Sequence, residues 1–175
     1  MCESGVDKKL VFESLQYVGI HCMMNLRSIW EGPIGKGYLS KLKYMALHIC
    51  PNLTSIFTRS LLGNLHNLEE LIIEDCPQIN SLVCQESFGL LLALKLERII
   101  IYACPMLESL SLMELSSNYL KVIKGEIEWW NSLKWLESEW SSKRKDYVAN
   151  VFVELERDAS LMDQLAKSGN SKEKI

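Results

Sequence analysis

The sequence predicts an α/β solenoid: a curved parallel sheet with an irregular or helical convex side and a helical cap at the C-terminal end. Two observations carry the prediction. The pair Cys-Pro recurs at Cys50-Pro51, Cys76-Pro77 and Cys104-Pro105, at separations of 26 and 28 residues. Ahead of each pair, apolar residues stand at alternate positions, the period of a strand that buries one face.

Aligned on the pair, three copies share one frame. They are Leu42, Met45, Leu47, Cys50, Leu53, Ile56; then Leu68, Leu71, Ile73, Cys76, Ile79, Leu82; then Leu96, Ile99, Ile101, Cys104, Leu107, Leu110. An eroded copy precedes them at Leu15, Val18, Ile20, Met23, Leu26 and Ile29. A fifth begins at Leu120 and Ile123 and departs at Gly125, where the next apolar residue belongs. Strands in identical frames run parallel, and the intervening residues supply the crossover. No single unit can bury its apolar face, so the copies must stack. The shared pattern L-x-x-L-x-L-x-x-C-P-x-L-x-x-L resembles the leucine-rich repeat, with cysteine at the position that is Asn or Cys in that family.

The repeat frame divides the chain. Residues 1–14 read as a partial N-terminal repeat or a disordered lead, 15–125 as about five leucine-rich repeats with the last incomplete, 126–166 as a helical cap and C-terminal helix, and 167–175 as a disordered tail. Trp129, Leu133, Leu136 and Trp140 fall on one face of a helix that would cover the open end of the core. Val148, Val151, Phe152, Leu155, Met162 and Leu165 again have helical spacing and predict a second helix over 146–166.

Composition narrows the function classes. With 48% hydrophobic and 23% charged residues and a net charge of −3, the chain of 175 residues reads as a soluble globular protein. Nucleic acid is not expected as a partner, because the one cationic cluster is Lys143-Arg144-Lys145. No apolar run reaches the roughly 18 to 20 residues of a membrane span, and the first residues lack an apolar signal core. The expectation is a cytoplasmic protein, with the nucleus as a second possible compartment, whose six cysteines stay reduced.

Neither catalysis nor a cofactor is expected. Cys50, Cys76 and Cys104 form a linear row, whereas zinc needs four converging ligands; a structural ladder is the stronger reading. His21 and His48 share a column but have no third ligand among the residues that follow them in it. No nucleophile elbow, HExxH or Cys-His-Asn arrangement is present.

The outward strand positions form three columns on the concave face. One is Tyr17, Tyr44, Glu70, Arg98 and Val122; the second Gly19, Ala46, Ile72 and Ile100; the third His21, His48, Glu74 and Tyr102. Tyr17, Tyr44, His48, Glu70, Glu74, Arg98 and Tyr102 are the expected partner contacts, since Tyr and Arg are enriched at binding hot spots. Glu70 with Arg98, and Glu97 with Lys121, are expected as cross-strand ion pairs. Alanine at Tyr44 and Arg98 is expected to weaken binding and leave the fold intact.

LSKLKYMALHICPNLTSIF, NLHNLEELIIEDCPQINSLV and LKVIKGEIEWWNSLKW are similar to the C-terminal repeat region of plant intracellular disease-resistance receptors, the nucleotide-binding leucine-rich-repeat proteins. The resemblance implies recognition of a pathogen effector or a guarded host protein, and restraint of the receptor's own switch domain until that event. No G-x-x-x-x-G-K-[ST] loop occurs, so nucleotide chemistry is not carried over. With about fourteen residues ahead of the first strand and no capping unit, the chain is expected to be part of a larger receptor. The rival readings are a stand-alone scaffold or adaptor, and, far behind, a metal-dependent or thiol enzyme.

Overall fold

The computed structural model describes residues 12–32, 34–83, 94–110, 119–134 and 149–155. Within them lie the strands β1 (Tyr17–His21), β2 (Tyr44–His48), β3 (Ser55–Phe57), β4 (Glu70–Glu74), β5 (Ser81–Val83), β6 (Arg98–Tyr102), β7 (Val122–Gly125) and β8 (Phe152–Glu154). Two short helices, α1 (Arg59–Leu62) and α2 (Ile127–Ser132), accompany them. The main sheet has the order β1-β2-β4-β6-β7-β8 and is parallel throughout, while β3 and β5 pair in parallel on the return side. The register aligns Tyr17, Tyr44, Glu70, Arg98 and Val122 in one row and His21, His48, Glu74 and Tyr102 in another, as the repeat spacing requires.

Alternate strand residues build the core. Met45, Leu47, Leu71, Ile73, Ile99, Ile101 and Ile123 point inward and are buried, and Leu42, Leu68, Leu96 and Leu120 close each rung where it enters the sheet. The return segments face them with Leu53, Phe57, Leu61, Leu65, Ile79 and Leu107. Each such side chain contributes about 1.5–3 kcal/mol of burial free energy.

The corner after each strand is built alike. Cys22, Ile49, Asp75 and Ala103, the residues that follow β1, β2, β4 and β6, adopt the left-handed conformation with φ between 50° and 55°. Such a φ is unfavourable for a non-glycine residue, most of all for a β-branched one such as Ile49. It aims each corner N–H along the sheet: Cys22 donates to the His48 carbonyl at 2.9 Å, Ile49 to Glu74 at 3.1 Å and Asp75 to Tyr102 at 3.1 Å. The Cys-Pro pair follows at once. Leu53 N–H donates to Cys50 O, Ile79 to Cys76 and Leu107 to Cys104, so each pair opens a β-turn with proline at its second position. Met23 and Leu26 close the same turn in the eroded first copy, without proline.

The C-terminal end departs from expectation. The helix predicted through Trp129, Leu133, Leu136 and Trp140 stops at Ser132, and Leu133 follows in extended conformation. Two bonds accompany the stop, one local and one long-range: Ser132 Oγ donates back to the Trp129 carbonyl at 2.7 Å, and Lys134 N–H donates to the Glu108 carbonyl of the preceding repeat at 2.6 Å. Leu136 and Trp140 lie outside the described residues. Trp129 is 5% exposed and donates its indole N–H to Leu107 O at 2.9 Å. Its ring occupies the place of the missing side chain at Gly125, where a Cβ would meet Trp129 at 2.6 Å and the Ile101 carbonyl at 3.2 Å.

The second predicted helix is also corrected. Phe152–Glu154 is a strand that adds to β7 in parallel, with Ile123 N–H donating to Val151 O and Leu155 N–H to Gly125 O. The open edge of β7 supplies backbone partners that three residues of helix would not, and Phe152 stacks on Trp130 at a centroid distance of 4.2 Å. The remainder of 146–166, with Val148, Met162 and Leu165, and the tail 167–175 lie outside the described residues. At the other end, residues 12–14 of the expected lead are placed against the repeats, where Phe12 packs on Trp30 and Tyr38.

The corner ladder ends at Ala103. The next carbonyl in the row, that of Glu126, accepts the Trp130 N–H of α2, and the Glu126 carboxylate accepts the Ala103 N–H instead, at 3.0 Å. Glu126→Ala is expected to lower unfolding free energy by about 1–3 kcal/mol, the cost of an unsatisfied amide, whereas Glu126→Gln, which keeps an acceptor, loses much less. Urea unfolding of the three proteins checks this, and an alanine variant as stable as the parent would exclude the capping role.

Candidate functional site

The three outward rows meet solvent unequally. Tyr17 on β1 is 51% exposed, and Tyr44, His48, Arg98 and Tyr102 are half-buried, whereas Glu70 and Glu74 on β4 are only 6% and 9% exposed. The tyrosines, His48 and Arg98 therefore present side-chain surface to solvent, and the two glutamates lie beneath them.

The central row is dry. Ala46, Ile72 and Ile100 are buried and form an apolar cluster with Leu155, against which Tyr102 packs. Leu155 was assigned by its spacing to a helix; the residue reaches the concave side because β8 delivers it there, tied by its N–H to Gly125 O at 2.8 Å. A signal for this was present in the sequence, since an outward row that reads Ala, Ile, Ile needs a cover.

Charge on this face is paired across strands. Arg98 donates to Glu70 at 2.6 Å, and the flanking pairs Lys43–Glu69 and Lys121–Glu97 stand at 2.9 and 2.8 Å. The flanking pairs are exposed and each contributes at most about 1 kcal/mol. The Glu70 pair differs, because its carboxylate side chain is 8% exposed and the guanidinium 44%. Removing Arg98 would leave the buried Glu70 carboxylate without its partner, so alanine there is expected to cost stability as well as binding.

The cysteine row is buried. Cys50, Cys76 and Cys104 donate S–H to the carbonyls of His48, Glu74 and Tyr102, two residues back in each case, at 3.8, 3.3 and 3.2 Å. Burial pushes the Cys76 and Cys104 thiols up to about 12, which disfavours the thiolate that nucleophilic or metal chemistry requires. Cys22 is exposed.

A denser cluster lies at the end of the third row. His48, Glu74 and Asp75 bring one ligand atom each to within 4.8 Å of one another. His48 Nε2 stands 3.7 Å from Glu74 Oε2, and the His21 ring lies 5.7 Å from that of His48. Burial raises the Glu74 carboxyl above its ordinary value; His48 opposes this and Asp75 adds to it. Reading the row as His, His, Glu, Tyr missed Asp75, because the corner turns that residue back toward the row it has just left.

A parallel coil of strands in one repeating frame is consistent with a leucine-rich-repeat solenoid. Residues 2–77 match the family model described as plant disease resistance protein RPS2-like, leucine-rich repeats, so this stretch is a repeat region of the plant disease-resistance type. No curated protein and no solved structure matches the chain. Among the described residues, no helix is long and apolar enough to cross a membrane.

Two measurements follow from these contacts. Arg98→Ala is expected to cost about 1–3 kcal/mol in chemical unfolding, since the Glu70 carboxylate is left buried while the half-exposed site admits water, and Glu70→Gln in that background is expected to restore part of it; a neutral Arg98→Ala would show that the pair does not stabilise the fold. Under native conditions a maleimide is expected to modify Cys22 and to spare Cys50, Cys76 and Cys104 until denaturant is added, as read by peptide mapping. Native labelling of Cys76 or Cys104 would contradict the ladder geometry.

Proposed function

We propose that this chain is a non-catalytic protein-recognition module of a plant intracellular immune receptor, acting in the defence response from the cytoplasm or the nucleus. The observation that carries the reading is the match of residues 2–77 to plant disease-resistance repeats. It is supported by the concave rows, where Tyr17, Tyr44, His48, Arg98 and Tyr102 offer aromatic and charged contacts around a dry centre. Large, rigid aromatic side chains gain contact area at small cost in rotamer entropy. The partner classes are a pathogen effector, a host protein that effectors modify, and the receptor's own switch domain. Cys50, Cys76 and Cys104 serve this function as a structural ladder that fixes where each contact row ends.

The test is proximity labelling in plant tissue, with the full chain compared with a Tyr17→Ala, Tyr44→Ala double variant that folds normally. The expected result is a labelled set containing effector-targeted or nucleotide-binding immune proteins, depleted in the variant. An unchanged set in the variant would remove the concave row from recognition. A set with no immune protein would favour a scaffold or adaptor instead.

A further inference from the structure

Four acidic side chains along the rungs are matched with lysine or arginine. Glu69 has Lys43, Glu70 has Arg98, Glu97 has Lys121 and Glu108 has Lys134. Glu74 and Asp75 are adjacent, and no lysine or arginine forms an ion pair with either among the described residues. Their neighbour is a histidine. Two carboxylates, one of them buried, and an imidazole form a donor set with no lysine or arginine paired to it among the described residues.

We propose that His48, Glu74 and Asp75 bind a divalent transition-metal ion of the zinc class at the end of the third concave row. The donor types fit: imidazole nitrogen with carboxylate oxygens suits zinc and its neighbours. The spacing fits as well. Ligand bonds of about 2.0–2.2 Å at tetrahedral angles put donor atoms about 3.3 Å apart, and His48 Nε2 lies 3.7 Å from Glu74 Oε2. That separation is too long for a hydrogen bond, and no other hydrogen bond to the Glu74 carboxylate is present among the described residues. Asp75 is exposed and closes the remaining gap by side-chain rotation, since the three donor atoms already lie within 4.8 Å. His21 stands one strand away, with its ring 5.7 Å from that of His48. The cysteine ladder is not involved: its thiols are buried and turned to backbone carbonyls.

The site is built by the corner. The left-handed φ of 51° at Asp75 turns the chain so that consecutive acidic side chains converge on the neighbouring strand's histidine. Asn is well tolerated at such a φ, so Asp75→Asn removes the charge without disturbing the turn.

The test uses the full chain, stripped with a chelator under reducing conditions and titrated with Co2+ and then Zn2+. The expected result is one saturating equivalent, with cobalt bands of nitrogen and oxygen ligation and no thiolate charge-transfer band. His48 imidazole resonances are expected to shift on addition of Zn2+. Asp75→Asn and His48→Gln are each expected to weaken binding by on the order of tenfold or more, with circular dichroism confirming that the variants are folded. The absence of a saturating equivalent, thiolate bands, or undiminished binding in either folded variant would overturn the site.

Discussion

Three successive rungs of this solenoid hang on one kind of atom, the carbonyl oxygen of the last residue in a strand. The His48, Glu74 and Tyr102 carbonyls each accept two donors: the corner N–H of the preceding rung and the thiol of their own. The first bond joins neighbours, and the second holds the cysteine against the strand it has just left. A buried carbonyl has two lone pairs and is costly to leave unsatisfied. One oxygen therefore couples a rung to its neighbour and to itself, and it sets the conformation of the residue between.

That residue bears the strain. A left-handed corner at Cys22, Ile49, Asp75 and Ala103 costs of order 1–2 kcal/mol each, and it is repaid only where an acceptor lies in the next rung. Stacking and corner geometry are thus the same event: an isolated repeat would have no reason to hold the turn. Two corners show what happens where the pattern thins. Met23 stands where the cysteine belongs and keeps the β-turn without a thiol, while Glu126 supplies from its side chain the acceptor for Ala103, its own carbonyl being taken by α2.

Much of this was legible in the sequence because stacking imposes a fixed frame. The alternation of Met45 with Leu47, Leu71 with Ile73 and Ile99 with Ile101 gave the strands, and the spacing of the Cys-Pro pairs gave their register to the residue. The misreadings fall where local period and tertiary opportunity diverge. Val151, Phe152 and Leu155 fit a helical face, yet the unpaired edge of β7 and the ring of Trp130 make a strand of Phe152–Glu154. The helical face that begins at Trp129 is broken at Leu133, while Trp129 itself stays in the helix, held by Leu107 O and by the room at Gly125. In the candidate site the columns were legible, but depth was not: Glu70 and Glu74 lie beneath their neighbours, and Asp75 belongs to the cluster only because of its φ.

The corner also governs how such a chain can lengthen or shorten. From strand to strand the spacing runs 27, 26, 28 and 24 residues, yet the register of the outward rows never slips. Gains and losses of residues are absorbed on the return side, where β3 and β5 pair over only three residues each. A whole rung can be duplicated or deleted and the neighbours will rejoin through the same atoms; a single residue inserted within a strand would turn the core face outward. Variation by whole units is thus mechanically cheap in this architecture, and a concave surface can be recomposed row by row while its scaffold stays in register.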